Sequence, residues 1–300
     1  MNILERSAKI THSVPLVFMS DNTINSELRN TWDMAALGWA KWEPTVSAGL
    51  VNSTEAMIDM AGIGPGMRVL DVAAGAGDLT IQLARRVGPS GSVVASDISQ
   101  TMLRLLRGKA ERAGLSNIET MECVAEDVDQ ADGVFGAAVC RMSLPLFSSP
   151  HKALEAIQRV LKPGARFAVH VFASAEHNPI MAKPMAILLR HANQLRPESK
   201  KSKLFTLGDR GMLEDLMRGS GLADVRTQIV QDVPPRMEAM DAMRMWQEAF
   251  GTYRAIVADL TSEDQTKAWI EVHDCLKRIG TLGDSERKHN VLVGSGAKPS

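Results

Sequence analysis

Cysteine is scarce in this chain: Cys123, Cys140 and Cys275 are the only three in 300 residues, and no two form a CxxC pair. Such a count builds neither a disulfide framework nor a zinc cluster, and it predicts buried thiols in a reducing compartment. An excess of one charge is also missing, since 34 Lys and Arg stand against 35 Asp and Glu, a formal net charge of −1. That balance gives no phosphate-tracking surface, so no nucleic-acid partner is expected. No apolar run approaches the roughly 18–20 residues that span a bilayer, so no membrane span is predicted. Near the N-terminus only Val14 to Met19 is apolar, and Pro15 interrupts it. That stretch is too short for the core of a secretion signal, and the expected location is cytoplasmic. Repeats, low-complexity tracts and His/Cys/Asp metal clusters are not visible, and no metal is predicted. Apolar residues are plentiful at 45%, with 23% charged, the composition of a globular protein that buries a core.

The texture of the chain changes three times. The first thirty residues are polar and weakly periodic, which predicts an arm. From Thr31 the residues Trp32, Ala35, Ala36, Trp39 and Trp42 recur at helical spacing. Pro44 is expected to interrupt that helix, with a second from Val46 to Ala61. Between Met67 and Phe172 short apolar runs alternate with amphipathic segments. Strands are predicted at Arg68–Ala73, Ser92–Ser96, Asn117–Cys123, Val134–Cys140 and Ala165–Phe172. Asp78, Ser99 and Ser149 are placed to cap the intervening helices. Alternating strands and helices imply βαβ units, hence a doubly wound parallel sheet with right-handed crossovers. Beyond Phe172 the chain reads as mostly helical. One stripe runs through Met243, Trp246, Phe250, Tyr253, Val257 and Leu260, and Ser262 with Gln265 makes a capping-box start for another helix. Thr227–Val233 and Asn290–Gly294 add two late strands. The expected organisation is an N-terminal arm and cap helices over 1–61, a ligand-binding core over 62–176, and a helical lid with the last strands over 177–300.

The run Val69-Leu70-Asp71-Val72-Ala73-Ala74-Gly75-Ala76-Gly77-Asp78 carries most of the chemistry. A strand passes straight into two glycines and then a helix, and the carboxyl ends of parallel strands are where ligands bind. Glycines let backbone approach a ligand closely. Twenty residues beyond Gly77 stands Asp97, where a carboxylate can accept both hydrogen bonds of a ribose diol. A dinucleotide fingerprint wants a third glycine where Thr80 stands, and no Lys-Ser/Thr pair follows to make a phosphate loop. The ligand left by this elimination has a ribose and adenine but no pyrophosphate.

The stretch Val69–Ser99 resembles the cofactor-binding half of class I S-adenosylmethionine-dependent methyltransferases, in the branch related to the ubiquinone and menaquinone methyltransferases. The likeness extends through Ala125-Glu126-Asp127, Cys140-Arg141-Met142-Ser143-Leu144 and Arg159–Gly164, and upstream to Trp32-Asp33 and Trp39-x-x-Trp42. It implies a Rossmann-like, doubly wound, mostly parallel seven-stranded sheet with an N-terminal helical cap and a C-terminal helical lid. It also implies S-adenosylmethionine as cofactor, leaving as S-adenosylhomocysteine. By position, Asp71, Ala73, Gly75 and Gly77 would surround its methionine end and Asp97 would hold the ribose. Ile98 and Met102 would line the adenine, Ala125 and Glu126 its other face, and Arg141 would sit beside the methionine. Ala73 stands where the family commonly has glycine. Val124 stands where an acid usually meets the adenine amino group, a place Glu126 or Asp127 would then fill.

Methyl transfer from a sulfonium asks mainly for orientation and a dry pocket, and for a base only if the acceptor must lose a proton early. His170 and His177 are the base candidates at the carboxyl edge of the sheet. Trp39, Trp42, Met142, Phe147 and Asn178 are the candidate acceptor contacts, and they suggest a small, apolar or aromatic molecule. Two other readings stay open on the sequence: a cofactor-binding subunit without turnover, which Val124 would suit, and a nicotinamide-dependent oxidoreductase, which Thr80 disfavours. The assembly would be a monomer or homodimer.

Overall fold

Five apolar runs in the middle of the chain become parallel strands, β1 (Arg68–Val72), β2 (Ser92–Asp97), β3 (Ile118–Glu122), β4 (Phe135–Arg141) and β5 (Leu161–Phe172). The late strands β6 (Ala223–Asp232) and β7 (His289–Ala297) close the sheet as an antiparallel edge pair, in the order β3-β2-β1-β4-β5-β7-β6. The computed structural model describes residues 21–193, 203–281 and 287–300. The helices are α1 (Asp21–Ala48), α2 (Val51–Met60), α3 (Asp78–Val87), α4 (Gln100–Arg112), α5 (Pro150–Val160), α6 (Pro179–His191), α7 (Arg210–Gly219), α8 (Ala239–Glu248), α9 (Gly251–Val257) and α10 (Ser262–Thr281). Among the described residues no helix is long and apolar enough to cross a membrane.

Strand alternation sends neighbouring side chains to opposite faces. Val69, Val93, Val139 and Ala168 pack with Met57 and Ile58 of α2 and Leu83 and Val87 of α3. Leu70, Val94, Cys140 and Val169 pack with Leu154 and Ile157 of α5 and Leu213 and Met217 of α7. A separate apolar cluster joins Phe172 to Met185, Trp246, Tyr253, Trp269 and Leu276, so α6, α8, α9 and α10 form a lid with its own core. Each large side chain buried in these layers contributes about 1.5–3 kcal/mol.

Several local expectations need correction. Residues 1–20 of the expected arm lie outside the described residues, and 21–30 are helical. Pro44 does not interrupt α1, which runs on to Ala48. Proline removes one ladder hydrogen bond there, and the contacts of Glu43 and Ser47 with the loop and helix below keep the helix in place on either side of it. The stripe Met243–Leu260 is broken into α8 and α9 at Ala249–Phe250. Thr261, not Ser262, caps α10, its Oγ1 accepting the Asp264 N–H at 3.2 Å. Asp78 does not cap α3, because the N-cap position is Gly77 in the left-handed region.

Candidate functional site

Strand order reverses between β1 and β4, and the loops leaving those strands open a cleft. Its volume is about 1180 Å³ including the open mouth. The floor is the loop after β1, where three residues take positive φ: Ala73 (+57°), Gly75 (+58°) and Gly77 (+95°). At Gly75 the Trp39 indole closes in, so that a Cβ would lie 3.2 Å from Nε1. At Gly77 a Cβ would meet Leu106 Cγ at 2.5 Å. Replacing Gly77 by alanine therefore combines left-handed strain with overpacking. We expect a loss of about 2–4 kcal/mol, measurable as a lowered denaturation midpoint with cofactor omitted, and a midpoint equal to the parent's would contradict it.

The back wall is β2. Asp97 ends it, buried, with Oδ2 accepting the Gly75 N–H at 2.9 Å and Oδ1 the Ser99 N–H at 2.8 Å. Ser99 caps α4 as expected, its Oγ accepting the Met102 N–H at 3.1 Å. Beside it Asp71 is buried on β1 and accepts the Thr80 hydroxyl at 2.6 Å. That contact gives a physical reason for threonine where a dinucleotide loop would have glycine.

The roof is α1. Asn25, Leu28, Trp32, Trp39 and Glu43 line the cleft from one helical face. Trp32 meets Trp39 edge to face at 6.1 Å, and Trp39 meets Phe250 of the lid at 5.7 Å. Glu43, 1% exposed, is the residue that sequence reasoning missed. Its Oε1 accepts the Asp78 N–H at 3.0 Å, capping α3 from outside, and its other oxygen pairs with Lys109 of α4. The signal was present as helical spacing: Glu43 follows Trp39 by four residues and Trp32 by eleven. Asp33 of the same helix accepts the Ser99 hydroxyl at 2.6 Å and so latches α1 onto α4.

Electrostatically the cleft is acidic. Glu43, Asp71, Asp97 and Glu126 line it against Arg141, the single cation there among the described residues, which contacts Thr54, Ser47 and Asp78. Burial pushes the Asp71 carboxyl up to about 7, opposed by the Thr80 hydroxyl and Arg141. Burial likewise raises Asp97 to about 6, opposed by the Ser99 and Gly75 N–H groups. Such carboxylates gain from a cationic ligand and from hydroxyl donors.

The structure brings together Asp71, Ala73, Gly75, Asp97, Ile98, Met102, Ala125, Glu126 and Arg141 around one cleft, with Trp39, Met142 and Phe147. Gly77 lies behind the lining, against Leu106. Val124 lines the cleft beside Glu126, whereas Asp127 is exposed and does not line it. Four further predicted residues are not brought there. Trp42 donates its Nε1–H to Glu248 at 2.6 Å and anchors α1 to α8. Asn178 uses its amide to fasten Ala173 to Asn290, joining β5 to β7. His177 is exposed and contacts Ser174. His170 is wholly buried, and neither ring nitrogen has a hydrogen-bond partner. Burial, with Arg141 and His289 nearby, drives its pKa well below the usual range.

The profile of the ubiE/COQ5 methyltransferase family matches residues 52–193. A ubiquinone/menaquinone biosynthesis C-methyltransferase UbiE from Teredinibacter turnerae is 30% identical over 184 residues, covering 56% of this chain and 72% of that one. The chain belongs to the ubiE/COQ5 methyltransferase family. It nevertheless spans only about half the length of most of the curated UbiE relatives it matches. Among solved structures, phosphoethanolamine N-methyltransferase 2 of Haemonchus contortus, in complex with S-adenosyl-L-methionine, shares the fold. Its TM-score is 0.57 at 16% identity, over 95% of this chain and 61% of that one. The [4+2]-cyclase SpnF shares it too, with TM-score 0.53 at 18% identity, over 83% of this chain and 80% of that one. The fold thus hosts more than one chemistry. The matched ubiE/COQ5 segment contains β1 to β5 and the cleft floor, while the α1 roof and the α8–α10 lid lie outside it.

Proposed function

We propose that the protein is an S-adenosylmethionine-dependent methyltransferase that moves the methyl group to a small, apolar or aromatic acceptor by in-line displacement. The observation that carries this reading is Asp97, a buried carboxylate at the end of β2 whose oxygens are set by the Gly75 and Ser99 N–H groups. That arrangement leaves its remaining lone pairs for a ribose diol. The acidic lining fits a cofactor whose sulfonium and ammonium are both positive, and Arg141 is the group to receive its carboxylate. When bound, S-adenosylmethionine supplies a methyl group on sulfur, which leaves as a neutral thioether.

The chain's own residues orient and exclude water. Ile98, Met102 and Ala125 offer apolar contacts for an adenine, and Trp39 and Phe250 offer aromatic rings whose faces attract a cation. Met142, Leu146 and Phe147 form the apolar wall after β4, consistent with an acceptor of low polarity. Among the described residues no histidine lines the cleft. Orientation is the main contribution such a displacement asks of the protein, on the order of 7–11 kcal/mol in well-aligned systems.

Calorimetric titration with S-adenosylmethionine, S-adenosylhomocysteine and NADH tests the reading. Micromolar binding of the first two without the third is the expected result. NADH binding alone would sink it.

A further inference from the structure

Beyond Asp97, where a base attached to the ribose would lie, the cleft wall is apolar. The backbone fixes its place: the Cys123 N–H donates to the Asp97 carbonyl at 3.1 Å, which sets Val124 beside the end of β2. Val124 lines the cleft together with Ile98, Met102 and Ala125. None of these four side chains carries a nitrogen or an oxygen. The Cys123 thiol also lines the cleft, and burial pushes it up to about 12, so it stays neutral.

Two acids follow Val124 in the sequence, but the fold gives them other tasks. The Val124 carbonyl accepts the Asp127 N–H at 3.1 Å, closing a turn on which Asp127 is exposed and outside the lining. Val128 is buried in the core beside α5, and its carbonyl accepts Arg159 Nη2 at 2.7 Å, so the turn is held from its far side. Glu126 does line the cleft. Its Oε1, however, accepts the Ser148 hydroxyl at 2.6 Å and the Ser149 N–H at 2.8 Å. Those donors stand at the start of α5, where the positive end of the helix dipole also favours a carboxylate. The other carboxylates of the lining are Asp97 itself, Asp71 on the Thr80 hydroxyl and Glu43 on the Asp78 N–H. The Ser143 and Ser148 hydroxyls are neutral, and a neutral acceptor discriminates far less than an ionised one.

Resting on the cofactor reading above, we infer that Val124 relaxes the choice of base: this chain holds the purine of its cofactor by shape and apolar contact and does not read the 6-amino group. An ionised acceptor at position 124 would change the affinity for a donor at that carbon about tenfold or more, and valine forgoes that selection. The ligand class is therefore purine ribosyl thioethers and sulfoniums, with an amino group or a hydrogen at the six-position alike.

The test is calorimetric titration of the full chain with S-adenosylhomocysteine and with its analogue carrying hydrogen in place of the 6-amino group. The analogue keeps the ring nitrogens as acceptors, so only the amino group is removed. The unaltered protein should bind the two within threefold of each other. Val124→Asp should prefer S-adenosylhomocysteine tenfold or more over the analogue, and Val124→Asn, which adds a neutral acceptor oxygen, should fall between. Tenfold rejection of the analogue by the unaltered protein, which needs no variant to fold, would overturn the inference. So would a folded Val124→Asp with the parent's ratio, since position 124 would then not face the base. If S-adenosylhomocysteine itself fails to bind the unaltered protein, the cofactor reading falls and takes this inference with it, an outcome distinct from rejection of the analogue alone.

Discussion

Replacing Asp97 by alanine is expected to weaken S-adenosylmethionine and S-adenosylhomocysteine alike by about a hundredfold or more. The ribose is common to both, so the loss cannot be selective for the sulfonium. Two hydrogen bonds to a charged acceptor are worth about 1.5–3 kcal/mol each, and even the lower sum corresponds to roughly 10²-fold in affinity. The same substitution strands the Gly75 and Ser99 N–H groups that Asp97 now receives, so the loop also loses its fixed shape. Burial already holds this carboxyl up at about 6, so the folded state carries a penalty for keeping it ionised at neutral pH. Removing it offsets part of the cost of the stranded N–H groups, and the thermal midpoint should move by no more than a few degrees. Asp97→Asn retains an acceptor oxygen and should fall between the two in calorimetric titration. Affinity within threefold of the parent for the alanine variant would remove Asp97 from the site.

How much of this was legible in the sequence differs by element. The β1 loop and Asp97 were, because backbone geometry there demands glycine and a carboxylate at a fixed distance along the chain. So was the edge pair, since Thr227–Val233 overlaps β6 and Asn290–Gly294 falls inside β7. Glu43 was not, although its helix was expected, because its task is to cap α3 across a tertiary contact that no local pattern encodes. His170 misled for the same reason in reverse. Its place near the end of β5 pointed to the ligand edge, and it does pair in register with the cleft-lining Arg141, but it is wholly buried there by tertiary packing that no local pattern encodes. Asn178 and Trp42 are polar or amphipathic groups at plausible positions whose hydrogen bonds turn out to hold the frame together. The lid break at Ala249–Phe250 was hidden by a continuous 3-4 spacing, and it is this break that brings Phe250 to the cleft.

The Asp71→Asn variant should separate stability from binding, with opposite signs. The folded state raises this carboxyl from an ordinary value near 3.8 to about 7, chiefly through burial. A carboxyl raised on folding contributes stability that is present below its unfolded pKa and lost as pH climbs through its folded one. At pH 8 the parent therefore carries an ionised, buried Asp71 at a cost on the order of 2–4 kcal/mol. Asparagine is nearly isosteric, keeps an acceptor for the Thr80 hydroxyl, and carries no charge. The cofactor-free variant should melt about 5 °C or more above the parent at pH 8, with the gain shrinking towards pH 5, where the parent's carboxyl is already protonated. Binding should move the other way. If Asp71 lies beside the methionine end, as the proposed cofactor placement has it, loss of its negative charge should weaken S-adenosylmethionine about tenfold more than S-adenosylhomocysteine, because only the former carries the sulfonium. The same linkage predicts that the parent's affinity for S-adenosylmethionine rises between pH 6 and pH 8 and that binding near pH 6.5 releases protons. Calorimetry in two buffers of different ionisation enthalpy measures that release directly. An asparagine variant that is less stable at pH 8, or that loses both ligands equally, would mean that Asp71 serves the loop's structure rather than the charge of the donor.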